Sequence, residues 1–151
     1  MVLDLLKNEN IAVNVSAVSW KEVVEKTGEL LLNTDSIEKK YIEAMKKSII
    51  NNGPYVVIGK GVALLHARPE DGVKKNCLSL ITLKEPIEFG SQNNDPVKIA
   101  FAFGTVDQKK HLQTISELSI ILLQDSAVDI IAGLESSKKI LNYIKKILQK
   151  R

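Results

Sequence analysis

His66 closes a short apolar run, Val62-Ala63-Leu64-Leu65, and is followed at once by Ala67-Arg68-Pro69-Glu70-Asp71-Gly72. The run is bounded by Gly59 and Gly61 and has strand length, whereas the proline, glycine and charges beyond it predict a loop. The imidazole is therefore expected at a strand end, where functional side chains collect. Largely neutral near pH 7, it can attack phosphorus through a ring nitrogen without help from a metal. Arg68, two residues on, offers a planar fork for phosphate oxygens. The same spacing suits a structural histidine that merely hydrogen-bonds a strand end, and on local pattern alone both readings stand.

Other chemistries fit less well. Gly59-Lys60 resembles the end of a nucleotide-binding loop, but the glycine spacing from Gly53 is one residue too long. Gly61 also stands where a serine or threonine would meet magnesium, and Leu64 replaces the third glycine of a dinucleotide fingerprint. With one cysteine and two histidines there is no zinc-type spacing, and no serine has nucleophile-elbow context. Cys77 opens a Leu/Ile-rich segment and reads as core. Glu70, Asp71 and Asp95 sit among prolines and glycines, where carboxylates are ordinary turn residues. His111 follows Phe103-Gly104-Thr105-Val106-Asp107 and precedes a helical pattern. It is expected to be exposed at the end of a strand-to-helix loop, as a polar residue opening that helix.

These residues need a scaffold, and the periodicities supply one. A loosely helical start at Val2 to Leu6 precedes a strand from Ile11 to Val15. Ser19 and Glu22 have capping-box spacing, and Val23, Val24, Leu30 and Leu31 continue a helix to about Leu32. Asp35 or Ser36 is expected to cap a second helix through Tyr41, Ile42, Met45 and Ile49, ending at Asn51-Asn52-Gly53-Pro54. Tyr55 to Ile58 reads as a strand. So do Leu78 to Leu83 and Ile99 to Phe103, interior strands separated by turn signals at Pro86 and at Asn93-Asn94-Asp95-Pro96. From about Leu112 to Leu123 the pattern is helical, and Ile130, Ile131 and Leu134 are followed after Ser136 by Ile140, Leu141, Ile144 and Ile147, so two helices are expected to close the chain. Helices enclosing strands predict an α/β fold, a mixed β-sheet flanked by α-helices in a single compact domain spanning 1–151.

A length of 151 residues with 44% hydrophobic and 26% charged residues suits one core. The net charge of +3 comes from interspersed Lys and Glu and calls for neither nucleic acid nor a membrane surface. No apolar stretch approaches the roughly 20 residues needed to cross a bilayer, and no signal-peptide pattern opens the chain. A cytoplasmic protein is expected.

The string Gly61 to Val73, with Glu88-Phe89-Gly90-Ser91 and Asn94-Asp95-Pro96-Val97, resembles an EIIA component of the bacterial sugar phosphotransferase system. The resemblance is to the mannitol/fructose-like (type 2) superfamily, and within it to the ascorbate-type branch, over nearly the whole chain. It departs at Leu65, where many members carry proline, so the loop entry is expected to be less rigid. The resemblance implies a mixed sheet flanked by helices and a phosphotransferase without a cofactor. His66 would accept a phosphoryl group from HPr and pass it to a cysteine of EIIB, and the membrane would be involved only through the EIIB/EIIC transporter. It also implies that His111 lies beside His66 as a phosphate partner, with the helix beginning near His111 adding backbone N–H donors. Some members place an arginine on the helix before the histidine strand. That helix carries Lys46, Lys47 and Ser48 here, which leaves Arg68 as the candidate for screening the phosphate charge. The implied role is ascorbate or related sugar uptake. A regulatory EIIA acting on a transcription or transport partner is the alternative, and a binding module without phosphotransfer a third.

Overall fold

Residues 1–150 are described by a computed structural model. Five apolar segments build one mixed sheet: β1 (Ile11–Val15), β2 (Val57–Gly59), β3 (Val62–Leu65), β4 (Cys77–Ile87) and β5 (Val97–Gly104), in the order β1-β4-β5-β3-β2. β4 and β5 pair antiparallel at the centre. β3 runs parallel to β5 with Leu65 opposite Ala102, and β2 closes the edge antiparallel to β3. β4 and β5, two of the three interior strands, are those expected from their unbroken apolar runs, which suit a sheet covered on both faces.

Side-chain alternation divides the core. Ala63, Leu65, Ala100 and Ala102 face α2 (Trp20–Asn33) and α3 (Lys39–Asn52), packing on Val24, Leu31, Tyr41 and Met45. Val62, Leu64, Phe101 and Phe103 face the other layer: α1 (Val2–Leu5), α4 (Gln108–Leu122), α5 (Ala127–Gly133) and α6 (Ser137–Gln149). The expected α/β class and sheet-between-helices architecture are thus observed, with five strands and six helices among the described residues. Three helices, α4, α5 and α6, close the chain where two were expected, because Leu134 is extended and Ser136 starts a new helix. α2 and α3 cross closely at Gly28, where an added Cβ would stand 2.6 Å from Ile42 Cγ1. None of these helices is long and apolar enough to cross a membrane.

Several local expectations hold and others are corrected. Ser19 Oγ accepts the Glu22 N–H at 3.3 Å, but the Glu22 carboxylate reaches back to the Val18 N–H and not to that of Ser19. α3 is not capped by Asp35 or Ser36. Its N-cap is Glu38, because Ile37 is drawn into a bridge with Val73, Asp35 pairs with Lys74 at 2.6 Å, and the Ser36 carbonyl takes the Lys74 N–H. α3 ends where expected, at Gly53, whose φ of 84° suits glycine. The strand predicted at Tyr55 begins only at Val57, after a turn. Pro86 is no turn. It lies in the exposed end of β4, beyond the regular pairing with β5, where a missing N–H costs no ladder bond.

Candidate functional site

Parallel pairing of β3 with β5 brings the C-terminal ends of these strands side by side, and continuing that register places His66 next to Phe103. The two rings lie 5.3 Å apart between centroids. The Phe103 ring also lies 5.1 Å from that of His111, tilted by 39°, so one buried aromatic ring touches both histidines. Tyr55 presents its edge to His66 at 6.0 Å. His66, His111 and Arg68 all line a cleft of about 690 Å³ with Tyr55 and the end of α3. The structure therefore brings together all three residues singled out in the sequence.

The ring of His66 has a defined orientation. Its Nδ1 lies 3.0 Å from the Leu64 carbonyl oxygen, an atom that only accepts, so Nδ1 carries the proton and donates. Nε2 is left with its lone pair. Burial pushes the His66 pKa below the ordinary 6.5; the Leu64 carbonyl pulls it back up, and the charge of nearby His111 depresses it further. The half-buried imidazole is thus neutral at pH 7.

His111 sits differently from expectation. α4 starts at Gln108 with Asp107 as its N-cap, so His111 belongs to the helix and is half-buried. The backbone donors expected near it are already engaged: the Asp107 carboxylate accepts from the N–H groups of Lys109 and Lys110, and the His111 N–H donates to the Asp107 carbonyl. What His111 offers is its ring. Nδ1 lies 3.2 Å from the hydroxyl of buried Thr105; with that hydroxyl donating, the His111 proton sits on Nε2.

Arg68 caps a 3-10 turn, Pro69–Asp71, in the segment read as plain loop. Its side chain is 78% exposed, with Nε 3.8 Å from Glu70 and 3.6 Å from Asp71. It borders the cleft but is already partly neutralised. Glu70 and Asp71 act as turn carboxylates, and so does Asp95, which accepts the N–H groups of Phe89, Gly90 and Ser91. Cys77 is buried, its thiol pushed up to about 12 by burial, as befits a core residue.

The end of α3 also builds the cleft, beyond the residues expected there. Ala44, Lys47, Ser48 and Asn51 line the cleft at helical spacing, and Lys47, unlike Lys46, pairs with no carboxylate among the described residues. The signal was present as polar residues three, four and seven positions after Ala44, beside the apolar face of the helix. Ser48 shares a 2.9 Å hydrogen bond with the Tyr55 hydroxyl at the rim. A larger groove of about 730 Å³ lies at the opposite strand ends, by Gly61 and Pro96, and holds neither histidine.

Residues 4–147 match the family described as phosphoenolpyruvate-dependent sugar phosphotransferase system, EIIA 2. The chain is 37% identical over 142 residues to the ascorbate-specific phosphotransferase EIIA component of Salmonella choleraesuis, covering 93% of this chain and 92% of that protein. It is similar to the cryptic mannitol-specific enzyme IIA of Escherichia coli (TM-score 0.86, 32% identity, 96% and 98% of the two chains). Its fold is also that of the mannitol enzyme IIA of Escherichia coli in complex with phosphorylated enzyme IIB (TM-score 0.81, 23% identity, 94% and 99% covered).

Proposed function

Because this chain belongs to the EIIA 2 family of the sugar phosphotransferase system, phosphoryl carriers that work through a phosphohistidine, we propose that His66 is the residue phosphorylated and Nε2 the nitrogen that bears the group. The observation that carries this reading is the 3.0 Å bond from His66 Nδ1 to the Leu64 carbonyl, which leaves only Nε2 as a nucleophile. In the accepting step the Nε2 lone pair forms a bond to phosphorus, and the P–N bond of the donor phosphohistidine on HPr breaks with its electron pair returning to the donor ring. No proton has to leave His66, since Nδ1–H stays on Leu64. In the passing step a cysteine thiolate of EIIB attacks phosphorus and the pair returns to Nε2. Such transfers rest on positioning and charge stabilisation, which the cleft supplies through His111 and neighbouring cations.

The sugar we assign is ascorbate, on the strength of the 37% identical relative bearing that specificity. The work belongs in the cytoplasm, with the membrane reached only through the transporter. Incubation with phosphoenolpyruvate, enzyme I and HPr, followed by mapping of acid-labile label, tests the phosphocarrier reading. Label on His66 is expected, and none on the protein would sink the proposal. Single-turnover transfer to EIIB proteins of ascorbate and mannitol systems then tests specificity, with the ascorbate partner expected to react faster.

Two further expectations concern charge. Since only neutral His66 attacks, and its folded pKa lies below 6.5, uptake of label is expected to be flat from about pH 8 through 6.5 and to fall below it. The sign for stability is the same: the unfolded chain binds the proton first, so stability is lost as pH drops below the unfolded value. Histidine NMR titration checks both, and a His66 pKa at or above 6.5 would contradict them. Arg68→Gln is expected to slow acceptance by only about two- to fivefold, because exposure and two carboxylates screen that guanidinium. Stopped-flow or quenched-flow rates for Arg68→Gln and Lys47→Gln together show which cation faces the phosphoryl group.

A further inference from the structure

A fully buried tyrosine hydroxyl needs a reason, because phenylalanine fills the same core space without a polar atom to satisfy. Tyr41, on the first turn of α3, is 0% exposed. Its hydroxyl accepts the Ala67 N–H at 2.9 Å and stands 2.8 Å from the Phe103 carbonyl, to which it donates; the Ala67 carbonyl, at 3.2 Å, is a weaker second acceptor. Burial pushes its pKa upward, so the hydroxyl keeps the proton it donates. Both principal partners are main-chain atoms just past the paired ends of β3 and β5. Ala67 follows His66, and Phe103 is the residue whose ring touches both histidines.

We infer that Tyr41 is a positioning residue that ties the His66 strand end to the β5 end and thereby holds the His66 and His111 rings in register against Phe103. The parallel ladder itself stops at Leu65 and Ala102. Beyond that point the hydroxyl of Tyr41 is the bridge that continues it, linking a donor on one strand end to an acceptor on the other. Without it the 66–68 segment is free to shift relative to Phe103, and a shift on the order of 1 Å between reacting groups costs up to a hundredfold in rate. This inference rests on the phosphohistidine reading for its kinetic arm alone.

The test uses Tyr41→Phe, which keeps the ring in the core. Nitrogen-15 NMR of the His66 ring in the unphosphorylated protein is expected to change from the single Nδ1–H tautomer to a mixture. Transfer of phosphoryl from the phospho-protein to EIIB is expected to slow by about tenfold. In a His111→Ala background the same change is expected to slow it by less than twofold, since the register it protects no longer matters. An unchanged tautomer with wild-type transfer overturns the inference, and so does a tenfold loss that persists undiminished without His111. If wild-type protein takes no label on His66, the phosphohistidine reading fails, while the tautomer measurement still judges Tyr41. Should Tyr41→Phe not fold, the wild-type protein decides: a slowly exchanging Ala67 amide with a nuclear Overhauser contact to the Tyr41 hydroxyl proton is expected, and its absence overturns the inference.

Discussion

Replacing His66 by alanine is expected to abolish phosphoryl uptake from HPr while leaving the fold intact. The other candidates are less suited: the Cys77 thiol is buried and held protonated, and His111, the second histidine lining the cleft, has its Nδ1 engaged with Thr105. Loss of the proposed nucleophile removes the covalent step, so the label should fall to background, at least about 10⁴-fold below wild type, or more than roughly 5 kcal/mol in barrier terms. The structural cost is small by comparison. His66 is half-buried, bonds only one main-chain carbonyl and contacts Phe103 and Tyr55, so a loss of about 1 kcal/mol is expected, visible as a few degrees in Tm. Acid-labile label measured by gel, beside a thermal melt, checks both parts. Uptake at the normal rate by a folded His66→Ala protein would show the nucleophile to be elsewhere.

His111→Ala is expected to accept phosphate on His66 yet pass it to EIIB about ten- to a hundredfold more slowly. The rings of His66 and His111 both lie against Phe103, and the charge of His111 depresses the His66 pKa. A His111 N–H on a phosphate oxygen is a charge-assisted bond worth roughly 1.5–3 kcal/mol, and losing it in the transition state gives a rate loss of that order. The structure sharpens this expectation by removing its competitor: the α4 N–H groups that would otherwise cradle the phosphate are satisfied by Asp107. Single-turnover transfer from purified phospho-protein measures the effect. A wild-type rate would exclude His111 from transfer, and label on His111 itself would exchange the two roles.

How much of this was legible in advance depended on how local each signal is. β3 was readable to the residue because two glycines bound an apolar run, whereas for the last helix only its apolar positions after Ser136 were legible, and the structure adds Ser136 as its cap, accepting the Lys139 N–H. The start of α3 was misplaced because Asp35 and Ser36 are good caps in isolation, and nothing nearby announces that Ile37 will pair with Val73, thirty-six residues away. His111 was placed outside its helix for a related reason: Asp107, four residues earlier, is the better cap, and the Lys109-Lys110 pair reads as loop or helix equally well.

By itself, the sequence determined the chemistry available. A lone cysteine set in an apolar strand, two histidines and no metal-ligand spacing narrow covalent function to an imidazole, and the Gly-bounded run puts His66 where a strand must end. Only the tertiary structure decided which atoms act. The nitrogen proposed as nucleophile follows from where the Leu64 carbonyl points, the proximity of His66 and His111 from a parallel β3–β5 ladder that joins segments nearly forty residues apart, and the small effect expected of Arg68 from carboxylates folded back on it. These are orientations and long-range contacts, settled when buried main-chain groups find partners across the sheet, and no periodicity along the chain encodes them.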